Sequence, residues 1–156
     1  MKLRPSPNLL LACLLLIAYP AYASSPELYM PTDNEVATWT SNVLQQTITV
    51  DYKQLEAQDK SRTVRQYYSG QAWSGLGNFF GSIIPQIIKY KERTNPIPAG
   101  PPIITDKGQF NGMPFWKVSQ TFHFPEIDKY VWFSVIVIPN TDPPLIIESL
   151  NMKMDM

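Results

Sequence analysis

The stretch "GQFNGMPFWKVSQTFHF", Gly108 to Phe124, decides how the rest of the chain is read. Asn111-Gly112 is a strong two-residue hairpin signal, because the tight turn joining twisted antiparallel strands needs positive φ at both central residues. Beyond it the side chains alternate. Trp116, Val118, Phe122 and Phe124 share one face, with Lys117, Ser119, Thr121 and His123 opposite. That is a half-buried strand, apolar inward and polar outward. It is rich in aromatics and carries almost nothing reactive.

C-terminal to this strand, "KYVWFSVIVI" is apolar on both faces and reads as a central strand covered on each side. "PNTDPP" turns the chain and "LIIESLNM" makes a last strand. N-terminal to it, "IITDKGQF" is the first arm of the hairpin. It follows "NPIPAGPP", a connector whose four prolines forbid helix and favour extended chain.

Upstream of the connector the period changes. Asp33 or Thr32 can cap a helix on which Val36, Trp39, Val43 and Leu44 recur at three- and four-residue spacing. A second, polar helical segment runs through "YKQLEAQDKSRTVRQYY" and is broken by Gly70. "QAWSGLGNFFGSIIPQIIKYK" reads as helix or helical turns, kinked by glycines and stopped near Pro85. Helical segments followed by an antiparallel meander make an α+β plan, with helices covering one sheet face.

The first 23 residues stand apart. Lys2 and Arg4 precede the apolar run Leu9 to Ala18, and "AYA" ends at Ala23. This is the order of a cleavable export signal, predicting a cut between Ala23 and Ser24. An extended lead, 24–32, then precedes a single domain, 33–154. An uncleaved membrane anchor is the alternative, but the run is short for a bilayer and Pro20 follows it.

Composition narrows the function. Of the 13 basic residues, two lie in the leader, leaving 11 against 13 acidic residues and a net charge of −2. Nucleic acid calls for a basic footprint that this surface lacks. Cys13 is the only cysteine and sits in the leader, so the exported chain has no disulfide, thiol nucleophile or cysteine–metal site. His123 is the only histidine, which leaves no transition-metal set. Gly75, Gly77 and Gly81 in "SGLGNFFG" have the wrong spacing and no preceding strand for a phosphate loop, and read as a flexible turn with close helix packing. Asp51 beside Tyr52 is the one acid–phenol pair that could serve a cavity. The surplus is aromatic, at 12% of residues, with Trp39, Trp73, Trp116 and Trp132 prominent. Most of it should be core and some of it interface.

In order, these stretches resemble the DotI/IcmL family of type IVB (Dot/Icm) secretion systems. The marks are Trp39 in the first helix, Asp51-Tyr52 with Leu55 opening the second, and Tyr67, Tyr68 and Trp73 around a turn. The last is the segment from Gly108 through Asn111, Gly112 and Trp116 to Val118. The resemblance implies a periplasmic domain of the nuclear transport factor 2-like type, a curved antiparallel sheet wrapped by helices. It implies partners among other secretion-system envelope proteins, possible self-association, and no catalytic, cofactor or metal residues. Family members carry a cytosolic segment and membrane helix, whereas this chain begins with a cleavable-looking signal. A soluble periplasmic paralogue or accessory subunit is therefore expected. The alternatives are a ligand-binding or enzymatic member of the same fold, and an exported factor directed at a host.

Overall fold

The first helix begins where the sequence supplies a cap. In the computed structural model, which describes residues 30–53, 60–90 and 93–155, helix α1 spans Asp33–Ile48. Thr32 is its N-cap, and the Glu35 side chain reaches back to the Thr32 N–H in a reciprocal capping box. Val36, Val43, Leu44 and Ile48 form its buried stripe. Thr40 and Thr47 are also buried, each donating its hydroxyl to the carbonyl four residues back. The Thr47 hydroxyl also meets the Tyr68 phenol at 2.7 Å. Burial pushes the Tyr68 pKa up, so the ring stays neutral and satisfied inside the core.

Helix α2, Lys60–Arg65, is short. Helix α3, Gly70–Tyr90, corrects the sequence reading, because it runs unbroken through its glycines and past Pro85. Both Gly81 and Pro85 are exposed, so the carbonyl that loses its bond to the missing proline N–H faces water. Gly75, Gly77 and Gly81 thus lie in helix, not in a turn. Gly75 faces β5, where a Cβ would lie 3.4 Å from the Leu150 carbonyl oxygen, an ordinary contact distance. Ser69 starts α3: its hydroxyl accepts from the Ala72 N–H and its carbonyl from the Trp73 N–H.

Five strands follow: β1 Ile97–Pro98, β2 Ile103–Phe110, β3 Met113–Phe124, β4 Lys129–Pro139 and β5 Leu145–Met154. They form one curved antiparallel sheet, so the chain is α+β as expected. β1 and β2 share one side of β3, β4 lies on its other side, and β5 pairs with β4. Asn111 (φ 51°) and Gly112 (φ 77°) supply the two left-handed residues of the hairpin turn. Gly108 lies under the Phe115 ring, where a Cβ would come within 3.1 Å of a ring carbon and push the ring aside.

Trp116, Val118, Phe122 and Phe124 all face the core, as the alternation predicts, joined by Val131, Phe133, Val135 and Val137 of β4. Leu145 and Ile147 of β5 complete this side, against Val36, Leu44, Ala72 and Leu76 of the helices. Each large apolar side chain so buried contributes roughly 1.5–3 kcal/mol. Gln120 shares this face and donates to the Gly100 carbonyl at 3.3 Å, tying the proline connector to β3.

Candidate interaction surface

The reactive groups singled out in the sequence fall at separate places in the fold. Asp51 Oδ1 accepts from the Lys53 N–H at 2.9 Å, the geometry of a helix cap at the helical residues Tyr52 and Lys53. Tyr52 packs against the core. His123 is on the opposite face of the sheet, stacked on Tyr130 with ring centroids 4.6 Å apart and touching Asp128 Oδ1 at 3.2 Å. The histidine therefore lies on the face turned away from the core against which Tyr52 packs. Among the described residues no three His, Cys, Asp or Glu side chains could hold a metal ion together.

The other positions singled out in the sequence also have structural surroundings. Trp39 meets Tyr67 edge-on at 5.9 Å. Trp73 meets Tyr68 at 5.7 Å and lies under the Arg65 guanidinium at 5.4 Å. Trp116 is buried, and its Nε1–H donates to Asp33 Oδ1 at 3.0 Å. Lys107 Nζ sits 2.6 Å from the other oxygen of that carboxylate. Hydrogen bonds from Lys107 and then Trp116 hold the Asp33 carboxyl below its ordinary pKa. Asp33 thus clamps α1 to the hairpin. Leu55, the leader and its cut at Ala23/Ser24 lie outside the described residues.

What the structure does assemble is a surface. The core-facing side of the sheet carries the helices, and the register places a different set of residues on the reverse side. One row runs Ile97, His123, Tyr130, and the next Thr121, Trp132, Lys153. The third is Ile103, Ser119, Ser134, Asn151, and the fourth Asp106, Lys117, Ile136, Ser149. Beyond them lie Ile138 with Ile146, and Phe110 with Met113 at the hairpin tip. Among the described residues eight large apolar side chains are exposed, and six of them are on this reverse face: Ile97, Ile103, Phe110, Met113, Tyr130 and Trp132. A surface scattered with apolar residues is ordinary, whereas here one sheet face collects most of the exposed large ones.

This overturns one expectation. β4 is central, but among the described residues only its core side is packed by helices; on the reverse side Trp132 is 38% exposed and Ile136 and Ile138 are half-buried. The apolar run of β4 predicts a central strand covered on each side. The missed signal was the company it keeps, because Ser119, Thr121 and His123 on the neighbouring strand belong to that same face.

No family model matches the chain, and neither does any curated protein. Among solved structures, the periplasmic domain of DotI superposes with a TM-score of 0.67 at 14% identity, covering 80% of this chain and 97% of that one. A periplasmic fragment of TraM gives 0.66 at 16%, covering 81% and 100%. An IcmL-like type IV secretion system protein from Legionella pneumophila gives 0.57 at 14%, covering 82% and 96%. The likeness to DotI/IcmL domains read from the sequence is therefore present in the fold, over nearly the full length of those chains.

Proposed function

We propose that this chain is a non-enzymatic periplasmic component of a type IVB secretion system, with a nuclear transport factor 2-like fold, that works through protein–protein contacts. One observation carries the reading: domains of DotI, TraM and an IcmL-like type IV secretion system protein share its fold across about four-fifths of its length. The apolar reverse face of the sheet supports the contact role, because it presents side chains suited to a partner and few groups suited to chemistry. Aromatics fill the space between sheet and helices, where Tyr68, Phe122, Phe124 and Phe133 are fully buried, and this speaks against the ligand-binding alternative. No described helix is long and apolar enough to cross a membrane. Trp39, Asp51, Tyr52, Leu55, Trp73, Gly108, Asn111, Gly112 and Trp116 would then be scaffold positions of the family fold.

Cross-linking in intact cells, followed by mass spectrometry of the envelope fraction, tests this reading. Other envelope subunits of a secretion apparatus should be recovered with the chain, and its intact mass should begin at Ser24. Recovery of the protein in the culture medium, with no envelope partner in repeated captures, would overturn it.

A further inference from the structure

We infer that a single internal water molecule is bound between helix α1 and the proline connector, taking a hydrogen bond from the Ser41 hydroxyl and giving one to the side-chain amide of Gln120. The site is separate from the reverse face of the sheet and does not depend on the secretion role.

Two observations carry it. The first is an orphaned acceptor. Gln120 is 3% exposed, and among the described residues its Oε1 is the one buried side-chain polar atom with no hydrogen-bond partner. Turning the amide round does not cure this. Nε2 donates to the Gly100 carbonyl at 3.3 Å, and the opposite orientation would set two oxygens against each other. On the core side its neighbours are Val118, Phe122 and, across the ladder, Phe133, whose side chains have no proton to donate. Oε1 therefore calls for a donor that the chain does not place beside it. Closed polar sites of this kind hold water, at about one buried molecule per 27 residues of a folded protein.

The second is the shape of the chain around that atom. Pro98 is opposite Phe122 and Ile103 opposite Ser119, so the four connector residues 99–102 span a place where β3 has two. The Ala99 N–H still donates to the Thr121 carbonyl at 2.9 Å, and the surplus chain leaves the ladder between there and Ile103. Helix α1 crosses this place with one row of side chains four residues apart, Asp33, Ala37, Ser41 and Gln45. The row is fixed at both ends. Asp33 is bonded to Lys107 of β2 and Trp116 of β3, and Gln45 Nε2 donates at 3.4 Å to the Pro96 carbonyl, just before β1. Its middle members therefore lie over the interval between those ties, which contains Gln120 and the connector. Ala37 and Ser41 are both small and leave room for a water-sized guest. Ser41 is half-buried, which gives that guest a way in, and no hydrogen bond engages its hydroxyl among the described residues. Thr40 is no substitute: it is on the Thr47–Tyr68 side of the helix, with its hydroxyl given to the Val36 carbonyl. A water that accepts from Ser41 and donates to Oε1 satisfies both groups at once.

The test uses the full-length chain, expressed for export and purified from the cell. A crystal structure of the parent should show a water within about 3.2 Å of both Gln120 Oε1 and Ser41 Oγ. In solution, NMR should give a cross-peak between the Gln120 side-chain amide protons and water, with the sign of a long-lived bound molecule. That cross-peak should be lost in Ser41→Val, whose two methyl groups fill the site and cannot donate. Circular dichroism confirms that the variant is folded. Should valine not be accommodated, Ser41→Ala removes the donor alone and should weaken the same cross-peak. A protein donor found directly on Oε1, a water there that does not touch Ser41, or a cross-peak as strong in both variants as in the parent would overturn the inference.

Discussion

The two faces of β4 carry nearly the same chemistry and meet different fates. Val131, Phe133, Val135 and Val137 point into the helices and are fully buried. Trp132, Ile136 and Ile138, one residue out of phase, point to the reverse face and keep access to solvent. A strand's period of two divides side chains between faces but does not say which face its own chain will cover. Coverage is decided far away in sequence, by where Val36, Leu44 and Leu76 find their apolar partners. Apolar residues left over on the other side are then material for contact with other molecules.

The sharpest way to break this comparison is to truncate neighbours on the two faces. Phe133→Ala removes a fully buried ring that meets Phe122 edge-on at 5.9 Å, and should cost about 3–5 kcal/mol. Trp132→Ala, in dilute protein, should cost about 1 kcal/mol or less, since surface truncations rarely do more. Urea unfolding of both variants reads the difference directly, and equal losses would mean that the reverse face is a second core.

A smaller effect is expected at the hairpin. Gly112→Ala places a Cβ at φ 77°, which should lower stability by roughly 1 kcal/mol without changing association. Thermal melts and sedimentation of the same sample separate the two outcomes; an altered mass with an unchanged melt would tie the turn to the interface instead.

The smallest effect is set by pH. The lowered pKa of Asp33 means that the folded chain holds this proton less readily than the unfolded chain. The clamp's stabilisation is therefore complete above the ordinary carboxylate pKa, near about 4, and is lost as pH falls through the lowered value. Asp33→Asn should melt earlier than the parent at neutral pH, and the gap should close on acidification. A gap that stays constant between about pH 7 and about pH 3 would show that the carboxylate's charge is irrelevant to the clamp.

Much of the fold was legible because local chemistry and global packing agree. Asn111-Gly112 dictated the turn, the alternation from Trp116 to Phe124 gave the inward face, and Thr32 with Glu35 marked the start of α1. Pro85 misled, because the rule that proline ends helices weighs the lost hydrogen bond and not whether water can replace it. β1 went unseen for a related reason: a two-residue strand in a proline connector is held by its partner, through Ile97 opposite His123, and not by its own propensity. The contact surface was half legible. Aromatic surplus was visible in the composition, but which aromatics stay outside depends on register, and Trp132 is separated from Phe133 by a single residue.

Ser69 has a consequence for the rim of the sheet. The serine that starts α3 also donates its backbone N–H to the Ile147 carbonyl at 2.9 Å, and its hydroxyl to the Glu148 carbonyl at 2.7 Å. The Ile147 N–H in turn donates to the Tyr67 carbonyl at 2.8 Å. The last strand is thereby latched at its third and fourth residues by the turn preceding a helix, and that part of its outer edge is closed to a foreign chain. Helix initiation and protection against fibre-like stacking are thus one event: undoing the first turn of α3 would unlatch the strand in the same motion.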